Sequence, residues 1–107
     1  MFTRIVELTT KPGKNKQLSD TINDKVLPLL RKQKGFVDET VLVSDHEDNR
    51  VLSLSFWNTK DDAERYHREE YQNVRETVRH LLDGEPVIRT FDVHTSTTHR
   101  IAAGKAA

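Results

Sequence analysis

Arg50-Val51-Leu52-Ser53-Leu54-Ser55-Phe56-Trp57 alternates with a period of two, the signature of a β-strand lying between two environments. Leu52, Leu54 and Phe56 are expected to face a packed layer. Val51, Ser53, Ser55 and Trp57 point the other way, and that smaller, more polar set suits a cavity wall or a buried interface better than a tight core. Just upstream, Asp45-His46-Glu47-Asp48-Asn49 is a polar hairpin loop, and Phe36 to Ser44, with Val37, Val41, Leu42 and Val43, is the strand before it. Just downstream, Thr59-Lys60-Asp61-Asp62 starts a helix, with Thr59 as N-cap and acids in the first turn. Ala63, Tyr66, His67, Val74, Val78, Leu81 and Leu82 mark its buried stripe. The stripe weakens around Arg68 to Tyr71, which predicts a helix in two pieces, and Asp83-Gly84 stops it.

Further out, Phe2 to Thr9 is the first strand, and Lys11-Pro12-Gly13-Lys14 is a turn built on the fixed φ of Pro and the positive φ open to Gly. Asn15 is the expected N-cap of a helix whose apolar face is Leu18, Ile22, Val26, Leu29 and Leu30. Pro28 removes the bond to the Asp24 carbonyl and predicts a kink or an early end. Val87 to Thr95 is the last strand, with Val87, Phe91 and Val93 set against Ile88, Thr90, Asp92 and His94. The order β-α-β-β-α-β predicts a ferredoxin-like α+β fold over residues 1–95: a four-stranded antiparallel sheet with both helices on one face. Residues 96–107 lack periodicity and form a tail, either frayed or an arm reaching a partner. Ile5, Leu42, Val51, Trp57 and Ile88 are assigned to the second, uncovered sheet face. An apolar face of that size needs a cover, and another copy of the same sheet supplies one, so a homodimer is expected.

Composition narrows the function classes. The 107 residues carry 17 Lys plus Arg and 17 Asp plus Glu, a net charge of zero that disfavours a phosphate backbone or an anionic membrane as partner. No apolar run approaches the ~20 residues of a membrane span, and the N-terminus has no signal-peptide pattern. The cytoplasm is therefore the expected compartment. Zero cysteines exclude disulfides, thiolate catalysis and Cys-ligated metal. Glu64-Arg65-Tyr66-His67 spells one Glu-x-x-His pair, but a di-iron site needs two such motifs on a four-helix bundle. Lys34-Gly35-Phe36-Val37 looks like an RNA-recognition motif placed on the wrong strand.

Four pieces, in order, resemble the antibiotic biosynthesis monooxygenase family of dimeric α+β barrels. They are the first strand with Lys11-Pro12-Gly13-Lys14, then Leu30-Arg31…Lys34-Gly35-Phe36, then Ser55-Phe56-Trp57-Asn58-Thr59-Lys60, and then Ala63 to His67. The resemblance spans roughly Met1 to Thr95. It implies a two-fold dimer with a pocket in each protomer. In catalytic members, O2 oxidises an electron-rich phenol, quinol or related aromatic without metal, heme or flavin. A heme-degrading branch uses an Asn in strand one, a Trp in helix two and a ligating His. Here strand one offers Ile5, Val6 and Glu7, Tyr66 stands near the Trp position, and the nearest His is His80, so no cofactor is expected.

Under that implication the candidate residues are few. His67 is a general base or hydrogen-bond donor, or else a His held by a carbonyl. Asp92 with His94 is a second acid–base pair, or else an exposed edge. Trp57, Tyr66 and Tyr71 are aromatic walls of the pocket, or else packing residues. Ser53 and Ser55 point into the same space. Glu7 is a catalytic carboxylate, a member of an ion pair between subunits, or exposed. The alternative to an oxygenase is a barrel that binds a small ligand without catalysis, or a structural dimer with a filled interior.

Overall fold

The computed structural model describes residues 1–101. Strands β1 (Phe2–Thr9), β2 (Phe36–Val43), β3 (Arg50–Trp57) and β4 (Val87–Asp92) form one sheet in the order β2-β3-β1-β4. Every neighbouring pair is antiparallel. Helices α1 (Asn15–Thr21) and α2 (Leu27–Arg31) lie between β1 and β2, and α3 (Lys60–Glu69) and α4 (Tyr71–Val78) between β3 and β4. This is the ferredoxin-like α+β architecture read from the sequence. β4 ends earlier than expected because its partner runs out: Asp92 lies opposite Phe2, and only the Val93 N–H reaches one residue further, to the Met1 carbonyl at 2.9 Å.

Local chemistry shapes the connections. The Lys14 N–H closes the first turn on the Lys11 carbonyl at 3.1 Å, with Pro12 at the second position and Gly13, φ +75°, at the third. Lys14, not Asn15, takes the N-cap position; the Asn15 side chain accepts from the Lys16 N–H one residue on. The kink expected at Pro28 is a π-helical turn at Ile22–Val26, in which the Leu27 N–H reaches back to the Ile22 carbonyl. Pro28 then falls in the first turn of α2, where no intrahelical donor is required. The second helix breaks as predicted, at Glu70 (φ −127°, ψ −20°). Thr59 caps α3 by accepting from the Asp62 N–H at 3.1 Å.

The sheet faces differ from the expectation. Phe2 pairs with Trp57, Arg4 with Ser55, Val6 with Ser53 and Leu8 with Val51, so these eight residues share one face, beneath the helices. Trp57 and Val51 are wholly buried there, and Trp57 stacks on Tyr66 of α3 with ring centroids 5.1 Å apart. Leu52, Leu54 and Phe56 pair with Glu7, Ile5 and Thr3 on the face that carries no helix. Val51 and Trp57 therefore belong to the core, as does the side of the sheet carrying Ile88, while Ile5 and Leu42 do lie on the open face. Glu7 also lies there, between Arg89 (Nε to Oε1, 3.3 Å) and Arg50 (Nη1 to Oε2, 3.9 Å) of the same chain. Part of the tail folds back onto this face. His99 Nε2 is 2.6 Å from Asp38 Oδ2, and the His99 ring packs on Phe56 at 4.5 Å. Residues 102–107 of the expected arm lie outside the described residues. Among the described residues no helix is long and apolar enough to cross a membrane.

Candidate active site

The even residues of β1 enter the core, and three of them, Phe2, Val6 and Leu8, are apolar. The fourth is Arg4, only 3% exposed. Its Nη1 lies 3.0 Å from His67 Nδ1, and its guanidinium carbon sits 5.3 Å from the Tyr66 ring centroid and 5.0 Å from that of Tyr71. Its Nη2 is buried without a partner among the described residues. Burial pulls the Arg4 pKa down from its ordinary value, but a guanidinium stays charged in a protein. The cation is thus held against two aromatic faces and one imidazole.

That contact fixes the state of His67. A guanidinium only donates, so Nδ1 must accept, and the neutral ring carries its proton on Nε2. Partial burial, together with the neighbouring Arg4 charge, lowers the His67 pKa, which favours this neutral form. The imidazole stacks on Tyr71, with ring centroids 5.1 Å apart and planes 19° from parallel. Burial raises the pKa of both Tyr66 and Tyr71, so their hydroxyls remain protonated donors.

Arg4 separates two spaces. On one side is a small cavity of about 50 Å³, bounded by Val6, Ile22, Val26, Ser53, Ser55 and Glu39, among others. On the other is an open groove of about 470 Å³ whose walls include Phe2, Ala63, His67, Arg68, Ile88 and Thr90. Glu39 enters the cavity because β2 is irregular between Phe36 and Asp38, after which Glu39 pairs with Ser55 on the covered face. Burial lifts its pKa to about 7, with Arg31 opposing the rise, and its Oε2 has no partner.

The residues singled out from the sequence separate cleanly. His67, Tyr66 and Tyr71 converge on Arg4. Ser53 and Ser55 line the small cavity, and Ser55 Oγ also accepts from Trp57 Nε1 at 2.9 Å. Trp57 borders neither space; its ring is enclosed between Tyr66 and Phe36. Asp92 and His94 are exposed at and beyond the end of β4, outside both spaces. Among the described residues no group of three or more His, Cys, Asp or Glu side chains is placed to hold a metal. Arg4 and Glu39 are the members that sequence reading missed. A signal existed for Arg4, a lone cation in phase with Phe2, Val6 and Leu8. None existed for Glu39, whose phase depends on the irregularity in β2.

Comparison with known proteins agrees with this architecture. No curated protein matches the sequence. The fold is similar to that of a monooxygenase from the gene ActVA-Orf6 of Streptomyces coelicolor, solved with the ligand nanaomycin D: TM-score 0.77, 18% identity, covering 89% of this chain and 88% of that one. It is similar to SnoaB, a cofactor-independent oxygenase from Streptomyces nogalater: TM-score 0.75, 16% identity, covering 92% and 97%. NE2512 of Nitrosomonas europaea, a protein of unknown function, matches with TM-score 0.74 and 17% identity, covering 96% and 95%. At such identities the likeness is one of fold. The sequence itself matches the antibiotic biosynthesis monooxygenase family over residues 1–77, and the chain therefore belongs to that family.

Proposed function

We propose that the protein is a homodimeric, cofactor-independent monooxygenase that oxidises an electron-rich phenol, quinol or related aromatic with O2 in the groove beside Arg4. The observation that carries the reading is the contact of Arg4 with His67, both of which line a groove of about 470 Å³, within the ~300–1,000 Å³ of ordinary ligand sites. The inner cavity, about 50 Å³, is too small for an aromatic ring. Its apolar lining of Val6, Leu8, Ile22 and Val26 suits a molecule the size of O2.

The chemistry is one the side chains can assist without further groups. An electron-rich phenolate passes one electron to O2, and the radical pair then forms a C–O bond to a peroxide; loss of the proton on that carbon breaks the O–O bond and releases water. The net change, S–H2 + O2 giving S=O + H2O, balances without an external reductant. His67 contributes Nε2–H as a donor to oxygen on which negative charge develops. Its Nδ1 lone pair is engaged by Arg4, so the geometry favours a donor over a base. Asp92 and His94 take no part in this reading. The dimer would be formed by the open sheet face, where Leu42 and Phe91 are about half exposed, with the tail as an arm across the same surface.

The engaged lone pair of His67 also favours the second reading, a barrel that binds a small ligand without turning it over. Oxygen uptake with a panel of phenols and quinols decides between them. Uptake above buffer, slowed about 10²-fold or more by His67→Ala as for a lost oxyanion donor, supports the oxygenase. No uptake with any member of the panel, or a rate untouched by His67→Ala, leaves the ligand-binding reading in its place.

A further inference from the structure

Arg4 is a buried cation without an anion among the described residues. Removing a charge from water is costly unless it is paired, which is why buried ions have partners. Among the described residues, no carboxylate pairs with Arg4. Its neighbours are the His67 imidazole and the faces of Tyr66 and Tyr71, and among the described residues nothing bonds to Nη2. Glu39, on the far side of the small cavity, feels Arg31 as its opposing cation. The rim of the groove adds Lys60 and Arg68, and its single carboxylate, Glu64, pairs with Lys60 at 3.8 Å. Phe2, Ala63 and Ile88 supply apolar wall.

We infer that the groove takes a flat organic anion, and that the charge of Arg4 in the groove wall selects it, the ligand's carboxylate or phenolate oxygen serving as the counter-ion that the described residues do not supply. His67 supports the same oxygen from Nε2–H, while the apolar walls receive the ring. Arg4 is then a specificity-determining residue, and the unpaired guanidinium of the free protein is stability held back for the bound state. The inference rests on the groove being the ligand site, as proposed above, but not on any reaction there.

Isothermal titration of the full chain with 2-naphthoate and with its neutral isostere 2-naphthamide tests it. The naphthoate should bind at least about tenfold tighter, a difference of about 1.4 kcal/mol, and Arg4→Met should erase the preference. Arg4→Gln makes the same comparison should Arg4→Met fail to fold. 4-Nitrophenol separates the two anion types, because its phenolate absorbs at longer wavelength than the phenol. A phenolate band retained on the protein below the pKa of the free phenol assigns the site to phenolates, and a naphthoate preference without that band assigns it to carboxylates. Equal affinity for naphthoate and naphthamide, no binding of either at millimolar concentration, or a preference that survives Arg4→Met overturns the inference. The preference in a protein that consumes no O2 would sink the oxygenase reading alone. O2 uptake by a protein that binds naphthoate and naphthamide equally well would sink this one alone.

Discussion

On the covered face of the sheet, Val51 and Trp57 have no exposed surface, whereas on the open face Leu42 and Phe91 keep 46% and 50% of theirs. The same strands build both faces with similar residue types, and the helices make the difference. Tyr66 closes over Trp57, and Leu18, Ile22 and Val26 complete the core beside it. Burial on one side yields stability and a charged cluster shielded from water. Exposure on the other side leaves an apolar surface and a short ion-pair ladder, Arg89-Glu7-Arg50. Apolar content alone therefore does not tell a covered face from an open one.

Substitutions on the two faces should separate accordingly. Trp57→Ala should cost about 3–5 kcal/mol, as large buried aromatics do, read from urea unfolding; a cost near zero would break the comparison. Gly35→Ala tests the rim of the covered face. Gly35 holds φ +81°, and a methyl group there would overlap the Asp62 side chain. A loss of about 2 kcal/mol is expected, from backbone strain plus the displaced Asp62.

A smaller effect follows from Glu39, whose folded pKa of about 7 lies above its ordinary 4.5. The sign is that of a raised acid: its contribution is fully present below pH 4.5 and is lost as pH rises through about 7. Glu39→Gln should remove that loss. The variant should gain about 1 kcal/mol on the wild type above pH 7, after discounting for partial exposure, and the two curves should meet near pH 4. His67 acts in the opposite sense. Its lowered pKa withdraws stability as pH falls below 6.5, and His67→Ala should flatten that limb. On the open face, Leu42→Glu should leave monomer stability within about 0.5 kcal/mol while shifting the sedimenting species from dimer to monomer. An unchanged mass would remove the open face as the interface. Trp57→Glu cannot make that test, since it would bury a charge in the core.

Much of this was legible in the residues. The alternation in Arg50–Trp57 and Phe2–Thr9, the Pro-Gly turn and the weakened stripe near Glu70 fixed the element order and most boundaries, because each is a local signal. His67 and the two tyrosines were each legible as candidates, and His67 and Tyr71 lie four residues apart across the break. The choice of face was not, because both phases of β3 carry large apolar residues and only pairing with β1 and cover by α3 decides between them. Glu39 stayed hidden for a related reason: one irregularity in β2 changes the phase of every residue after it.

β1 lies inside the sheet, paired to β3 on one side and β4 on the other. It is made before either neighbour, and the second of them is finished only at Asp92. The nascent chain must therefore carry a strand with two unsatisfied edges, including Arg4, until β3 and β4 have been made. The β2–β3 hairpin can form locally before β1 has anywhere to dock. The charge that marks the groove in the finished protein also interrupts the apolar phase of that waiting strand, and a charge at such a position discourages pairing with the wrong neighbour.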